Sequence, residues 1–371
     1  MLRLNRDILR ILDANVNRAA EGMRVLEETA RMLYDNAVLA LELKDLRHAV
    51  TGILAESGDA GSRMILARDS ERDVLREGET LSESTRTDLS SVIRANARRA
   101  CEAVRALEEY GKLLEPGLSE RYKRVRFRLY DLEKSLTERA LRKTLLSPRR
   151  LGVWVIIDRA GVGDLAACTA ETAAAAGAGT IVIRDKVSGD RSFLSHSIPI
   201  IEVLRGKDIT VLVNDRVDAA VMLGADGVVL GDEDAPIALV RSLMGGSMLA
   251  GRSGSRKYAS AGIPTCVNHT LVTPSAESLE GADFLLLAGT CGADVPGGEL
   301  RRSAVPVVAV INPGEDESGD LLDAGAAGIC LFAERYGPAE LARVVARVRE
   351  EFECHLARTH SAEGGSERRE T

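Results

Sequence analysis

The sequence predicts two folds in one chain: an N-terminal all-α duplicated helical-hairpin bundle, then a C-terminal (β/α)8 TIM barrel. Three observations carry this. At 371 residues the chain is long enough for two or more domains. A charged segment recurs 81 residues downstream of its first copy. From Leu151 onward, short apolar β-branched runs alternate with Ala- and Leu-rich helical stretches.

The repeat comes first in the chain. Residues 12–33 read LDANVNRAAEGMRVLEETARML, and 93–114 read IRANARRACEAVRALEEYGKLL. Asn15, Arg18, Glu21, Arg24, Glu27 and Glu28 return as Asn96, Arg99, Glu102, Arg105, Glu108 and Glu109. At helical spacing, Ala19, Met23, Leu26, Ala30 and Leu33 form a core stripe, and Glu21, Arg24 and Glu28 lie roughly opposite. Two readings stand. Arg24 can pair with Glu21 and Glu28 in a solvent-side ladder worth about 0.3 kcal/mol per pair. Alternatively, the two copies face each other across one polar cleft that holds an anion. Asn15 and Asn96 favour the cleft, because Asn is a mediocre helix former with no evident duty inside a helix.

The similarity extends to Lys44 and Arg47 against Lys123 and Arg126, so each copy reads as a helical hairpin: 4–33 with 36–56, and 85–114 with 117–145. Between them, 57–84 is rich in Gly, Ser and charge and reads as a loop. Its Arg68, Asp69, Arg72 and Asp73 could close over a phosphate or belong to a solvated linker. Ser147-Pro148 marks the linker between domains at 1–146 and 151–356.

In the second half, strands are expected over 152–158, 180–186, 210–215, 227–232, 248–253, 282–289, 305–311 and 328–333, with a final helix over 338–356. Continuously apolar strands fit a parallel sheet buried on both faces. An open doubly wound sheet is the alternative. In a barrel, chemistry sits at the C-terminal strand ends. Polar residues gather there: Asp158; Arg184, Asp185 and Lys186; Asn214, Asp215 and Arg216; Asp232, Glu233 and Asp234; Arg252 and Ser253. Asp215 and Asp234 on adjacent strands can share one Mg²⁺, a cation that takes oxygen ligands and substrate phosphates. Arg184 and Lys186 can neutralise a diphosphate.

Composition excludes several classes. With 49 basic against 56 acidic residues and a net charge of −7, nucleic acid is not an expected partner. No run approaches the roughly 20 apolar residues of a membrane span, and the N-terminus lacks a signal-peptide core. Cys101, Cys168, Cys266, Cys291, Cys330 and Cys354 are scattered without a CxxC pair, which fits a reducing cytosol and a cytoplasmic protein. Residues 357–371 have no apolar periodicity and are expected to be disordered. A homo-oligomer is left open.

The residues IRDK, VNDRVDAAVMLGADGVVLGDEDAP and GRS resemble those of thiamine phosphate synthases, a likeness running over about 152–356. The resemblance implies coupling of hydroxymethylpyrimidine diphosphate to thiazole phosphate. Asp215 and Asp234 would be the Mg²⁺ ligands, and Arg184, Lys186 and Asn214 would bind the diphosphate substrate. Lys186 and Ser253 would be catalytic, Ser253 at the departing pyrophosphate. The chain departs from that pattern where Val182 replaces a Gln, Val229 replaces a His, GTCGADVPGGEL replaces a Thr-x-Thr-Lys-Pro loop, and Ile311-Asn312-Pro313 replaces a Gly-Gly. Glu334 stands near the expected anion position. Residues 1–145 resemble the helical hydroxymethylpyrimidine phosphate kinases fused ahead of such synthases, through the repeated ANxxRAxExxRxLEE and through ARDSERDV. That likeness implies ATP as co-substrate and places Asn15, Arg18, Arg24, Arg68, Asn96, Arg99 and Arg105 on the substrate. No GxxxxGK[ST] loop is present, and no ATP site can be read. The resemblances together imply a bifunctional thiamine-biosynthesis transferase of small-molecule substrates. The alternatives are a kinase whose barrel binds the diphosphate without coupling it, and a non-catalytic thiamine-precursor sensor.

Overall fold

The computed structural model describes residues 2–56, 60–68, 86–231, 234–254, 281–287, 300, 303, 305–311 and 318–366. The chain forms two compact units, Met1–Leu141 and Arg142–Thr371.

The first unit is helical. α1 spans Leu2–Glu28 and runs into a π-helical turn, Thr29–Leu33. α2 spans Ala37–Ala55, capped by Asn36, whose side chain accepts from the Leu39 amide. α3 is Ala60–Ala67. α4 is Leu89–Gly111, started by a reciprocal Asp88/Ser91 capping box, and α5 is Pro116–Leu145. The two hairpins expected from the repeat are therefore present. α3 is not foreseen by the Gly- and Ser-rich reading of 57–84. It forms because Met64 and Ala67 bury against the bundle core. The rest of that stretch, including Asp69, Arg72 and Asp73, lies outside the described residues.

The direction of the helices follows from named contacts. Arg121 reaches Glu56 and Arg128 reaches Glu42, so α2 descends as α5 ascends. Each is antiparallel to its own hairpin partner, so α1 and α4 are antiparallel too. They meet at Gly22, where a Cβ would lie 2.8 Å from the Asn96 carbonyl and 3.2 Å from Ala100 Cβ. A side chain there would force the helices apart.

The second unit is a closed barrel of eight parallel strands paired in sequence order, with β1 joined to β8. This settles the choice against an open sheet. The strands are β1 Val153–Asp158, β2 Thr180–Arg184, β3 Thr210–Asn214, β4 Gly227–Leu230, β5 Leu249–Gly254, β6 Leu285–Leu287, β7 Val307–Val310 and β8 Gly328–Phe332. Strand alternation divides their side chains into two cores. Trp154, Ile156, Val182, Leu212, Val229, Phe284, Val308 and Cys330 are among those filling the barrel interior. Val155, Ile157, Ile183, Val213 and Ala250 pack outward beneath the helices. Trp154 and Phe284 meet edge to face at 4.9 Å.

Two boundaries differ from the sequence reading. The division between units falls inside α5 and not at Ser147-Pro148. The last turn of α5 belongs to the barrel: Leu145 and Leu146 pack on the interior core, and the Thr210 hydroxyl donates to the Leu145 carbonyl. The final helix, Pro338–Ser366, also runs past the expected end at 356. Within the extension Thr359 is partly buried, and its hydroxyl donates to the His355 and Leu356 carbonyls. Residues 367–371 lie outside the described residues.

Candidate active site

The C-terminal ends of β1 to β5 bring the predicted polar residues to one face. β1 ends in Asp158 and β2 in Arg184, directly paired in register. The two form an ion pair, and the other Asp158 oxygen accepts from the Ala160 amide at 3.1 Å. Arg184 is therefore a held cation, its direction set by a buried carboxylate. In the next turn, Asp185 is folded inward. Burial alone would raise its carboxyl, but hydrogen bonds from Ser188 and from the Val187 and Ser188 amides hold it below the usual carboxylate range. Asp185 shapes the turn that presents Lys186.

Lys186 Nζ lies 3.1 Å from Asp215 Oδ2. Asp215 follows Asn214, the last residue of β3, and adopts φ +64°. A left-handed non-glycine backbone is uncommon and costs about 1 kcal/mol, least for Asp and Asn. It is anchored by the Asp215 amide donating to the Val229 carbonyl at 2.8 Å. Asp234 approaches from the loop after β4, its Oδ2 accepting from the Gly231 amide at 2.6 Å. The Asp234 carboxyl is pushed up, first by burial and then by Asp215 beside it. The Gly231 amide and Lys186 pull the other way. Two carboxylates forced together beside one lysine form an oxygen-donor set that a divalent cation would relieve. Among the described residues no third His, Cys, Asp or Glu joins them in a metal-holding cluster. That sparse set fits Mg²⁺, which usually completes its shell with water and substrate phosphate. Ser253 stands half-buried on β5.

The remaining strand-end residues have other duties or lie outside the description. Arg216 pairs with Asp190 at 2.6 Å and Asp218 at 3.2 Å and covers the Phe193 ring at 4.7 Å, a packing role. Asp232, Glu233, the GTCGADVPGGE stretch and Asn312-Pro313 lie outside the described residues. Val182 and Val229, which stand where Gln and His are expected, belong to the apolar interior just below the site.

Glu334 follows β8, in the turn Ala333–Arg335. Its Oε2 is buried without a hydrogen-bond partner among the described residues. Burial raises the carboxyl above its ordinary 4.5, against its own amide, Arg335 and Arg184. The folded carboxyl thus binds its proton more tightly than the unfolded one. The unfolded state ionises first as pH rises past about 4.5, and stability falls until the folded carboxyl also ionises. Glu334→Gln is expected to melt with the parent protein at pH 4 and above it at pH 7. Equal melting temperatures at both pH values in scanning calorimetry would refute this.

The helical unit arranges its predicted residues differently. Glu27 is buried and held by Arg24 and Arg47, both at 2.9 Å. Glu108 repeats this with Arg105 at 2.6 Å and Arg126 at 2.9 Å. Arg24 also pairs with Glu28, and Arg105 with Glu109. Asn15 and Asn96 each donate to the carbonyl one turn back, of Ile11 and Val92. Arg18 and Arg99 are exposed. Arg68 makes a two-pronged bond to Asp13 at 2.7 and 2.8 Å, tying the end of α3 to α1. With α1 and α4 antiparallel and crossing at Gly22, the twin networks stand on the order of 20 Å apart along the pair. The copies do not face each other across one cleft. Each builds its own network, partly solvated and partly buried.

Known proteins share both halves. Residues 10–135 match the family model described as ThiD2 family, and 153–262 match that described as Thiamine monophosphate synthase. The thiamine-phosphate synthase of Synechocystis sp. is 31% identical over 87% of this chain and 90% of its own length. That of Thermosynechococcus vestitus is 37% identical over 66% of this chain and 67% of its own. That of Nostoc punctiforme is 32% identical over 87% and 88%. With identity of this order across both units, and with the motif residues gathered at one barrel mouth, the chain belongs to the thiamine-phosphate synthase family.

Proposed function

We propose that the chain is bifunctional. The helical unit phosphorylates hydroxymethylpyrimidine phosphate at the expense of ATP, and the barrel joins the resulting diphosphate to thiazole phosphate, giving thiamine phosphate and pyrophosphate. The observation that carries the barrel reading is the Asp215–Asp234 carboxylate pair with Lys186 at 3.1 Å, at the end of the barrel where chemistry occurs. The kinase reading rests on the helical family match over 10–135.

Asp215 and Asp234 would hold Mg²⁺, which when bound supplies charge neutralisation to the diphosphate. Lys186 is tied to Asp215 in the free site and is placed to turn its ammonium to a diphosphate oxygen. Arg184, aimed by Asp158, offers a second cation to the same group. As the pyrimidine methylene C–O bond breaks, negative charge grows on the departing pyrophosphate. Cations fixed beforehand stabilise that charge without reorganising. The Ser253 hydroxyl and the Asn214 amide would hydrogen-bond the same leaving group. The thiazole nitrogen then captures the pyrimidine methylene cation. No residue need take a proton in the bond-forming step, which agrees with a site built of fixed charges.

Among the described residues no helix is long and apolar enough to cross a membrane, and Cys101, Cys168, Cys330 and Cys354 are free thiols. Both fit a cytoplasmic enzyme of small molecules. The test uses the full chain with hydroxymethylpyrimidine phosphate, ATP, Mg²⁺ and thiazole phosphate, following each product separately. Both the pyrimidine diphosphate and thiamine phosphate are expected. Diphosphate that accumulates without thiamine phosphate would leave a kinase with a binding barrel. Neither product would overturn both assignments.

A further inference from the structure

Arg252 lies on β5 between Gly251 and Ser253. Strand alternation directs Leu249 and Ser253 to the barrel axis and Arg252, with Ala250, to the layer under the helices. That layer is built largely of aliphatic side chains. Arg252 is only 7% exposed and is the single lysine or arginine among the buried described residues. A guanidinium is retained in such a place only where its donors are used, because burial removes its hydration.

Its use is visible in the loop that carries Asp234. Leu230 is the last residue of β4 and pairs in register with Arg252. Gly231 is the first residue beyond that strand. Arg252 Nη1 donates to the Gly231 carbonyl at 2.8 Å. The Gly231 amide donates to Asp234 Oδ2 at 2.6 Å. A Cβ on Gly231 would stand 3.3 Å from the same carboxylate oxygen, so the loop closes tightly round this glycine. Gly231 is thus gripped on its carbonyl side by Arg252 and grips Asp234 through its amide. We propose that Arg252 is a positioning residue for Asp234. By fixing Gly231 where the strand ladder ends, it holds the Asp234 carboxylate in place through the amide hydrogen bond to Oδ2. This rests on the assignment of Asp215 and Asp234 to the metal.

The test reads cation binding without turnover: Mn²⁺ titrated into the full chain with inorganic pyrophosphate, bound ion followed by electron paramagnetic resonance. Loss of a residue that orients a metal ligand typically weakens metal affinity about 10- to 100-fold. Arg252→Met is expected to weaken Mn²⁺ binding about tenfold, and Arg252→Lys, which keeps a cationic donor, to recover most of it. In an Asp234→Asn background, Arg252→Met should change Mn²⁺ affinity no further while still lowering the melting temperature. That split is one a purely structural arginine would not give. If Arg252→Met does not fold, Gly231→Ala, which crowds Asp234 Oδ2 directly, should weaken binding by a similar factor. Should Asp234→Asn leave Mn²⁺ binding unchanged, the metal assignment itself fails. Should Asp234→Asn weaken it while the Arg252 and Gly231 variants bind normally, the positioning role alone fails.

Discussion

Asp215→Asn is expected to lower coupling turnover by roughly a hundredfold or more and to abolish tight Mg²⁺-dependent pyrophosphate binding, at almost unchanged stability. A neutral amide is a poorer ligand for a hard cation. It also releases Lys186 from its 3.1 Å contact, so the lysine no longer rests where the diphosphate arrives. The substitution isolates chemistry from folding because Asn tolerates the φ of +64° nearly as well as Asp does. Asp215→Ala, by contrast, should lose a similar amount of binding and about 1 kcal/mol of stability, since alanine pays more in that backbone region. Calorimetric titration of Mg²⁺ and pyrophosphate, together with denaturant melts, separates the two. Unchanged Mg²⁺ dependence in Asp215→Asn would remove the metal from this site.

The barrel was legible because its strands carry two signals at once. Runs such as VWVIID and TIVIR are apolar without interruption, as a parallel sheet buried on both faces requires, and each breaks into charge at its C-terminal end. Asp215, Asp234, Lys186 and Arg184 could be singled out because several consecutive strands end in that way. Less could be seen of what holds them. Asp158 aims Arg184 only because the β1–β2 register sets them side by side. Arg252 reads as one more strand-end polar residue until the parity of β5 turns it outward, under the helices, and only then does its burial stand out. In the helical unit, spacing along one helix supports both a ladder and a cleft, since both need the same residues on the same face. The deciding fact is the antiparallel run of α1 and α4, set by contacts such as Arg128 with Glu42, 86 residues apart. The burial of Glu27 likewise depends on Arg47 from the neighbouring helix and is invisible in the periodicity of α1.

That arrangement predicts that the two repeats fail independently. Arg47→Met and Arg126→Met should each cost about 2 kcal/mol. Removing one partner of a buried ion pair costs roughly 3–5 kcal/mol when nothing replaces it, and here Arg24 or Arg105 remains on the same carboxylate. The side chains concerned are sheltered: Glu27 is 6% exposed and Arg47 20%, with 7% and 14% for Glu108 and Arg126. Arg24→Ala should cost only about 0.5 kcal/mol, because its guanidinium is half in water and Arg47 still holds the Glu27 carboxylate. In the double variant Arg47→Met/Arg126→Met the two losses should add within about 0.5 kcal/mol, as expected for groups well beyond 10 Å apart with no shared partner. Denaturant unfolding of the four proteins measures this directly, and the helical content should disappear at correspondingly lower midpoints. A coupling energy well above 0.5 kcal/mol, or kinase turnover lost non-additively in Arg24→Ala/Arg105→Ala, would mean that the twin networks meet through a common element or a common ligand after all.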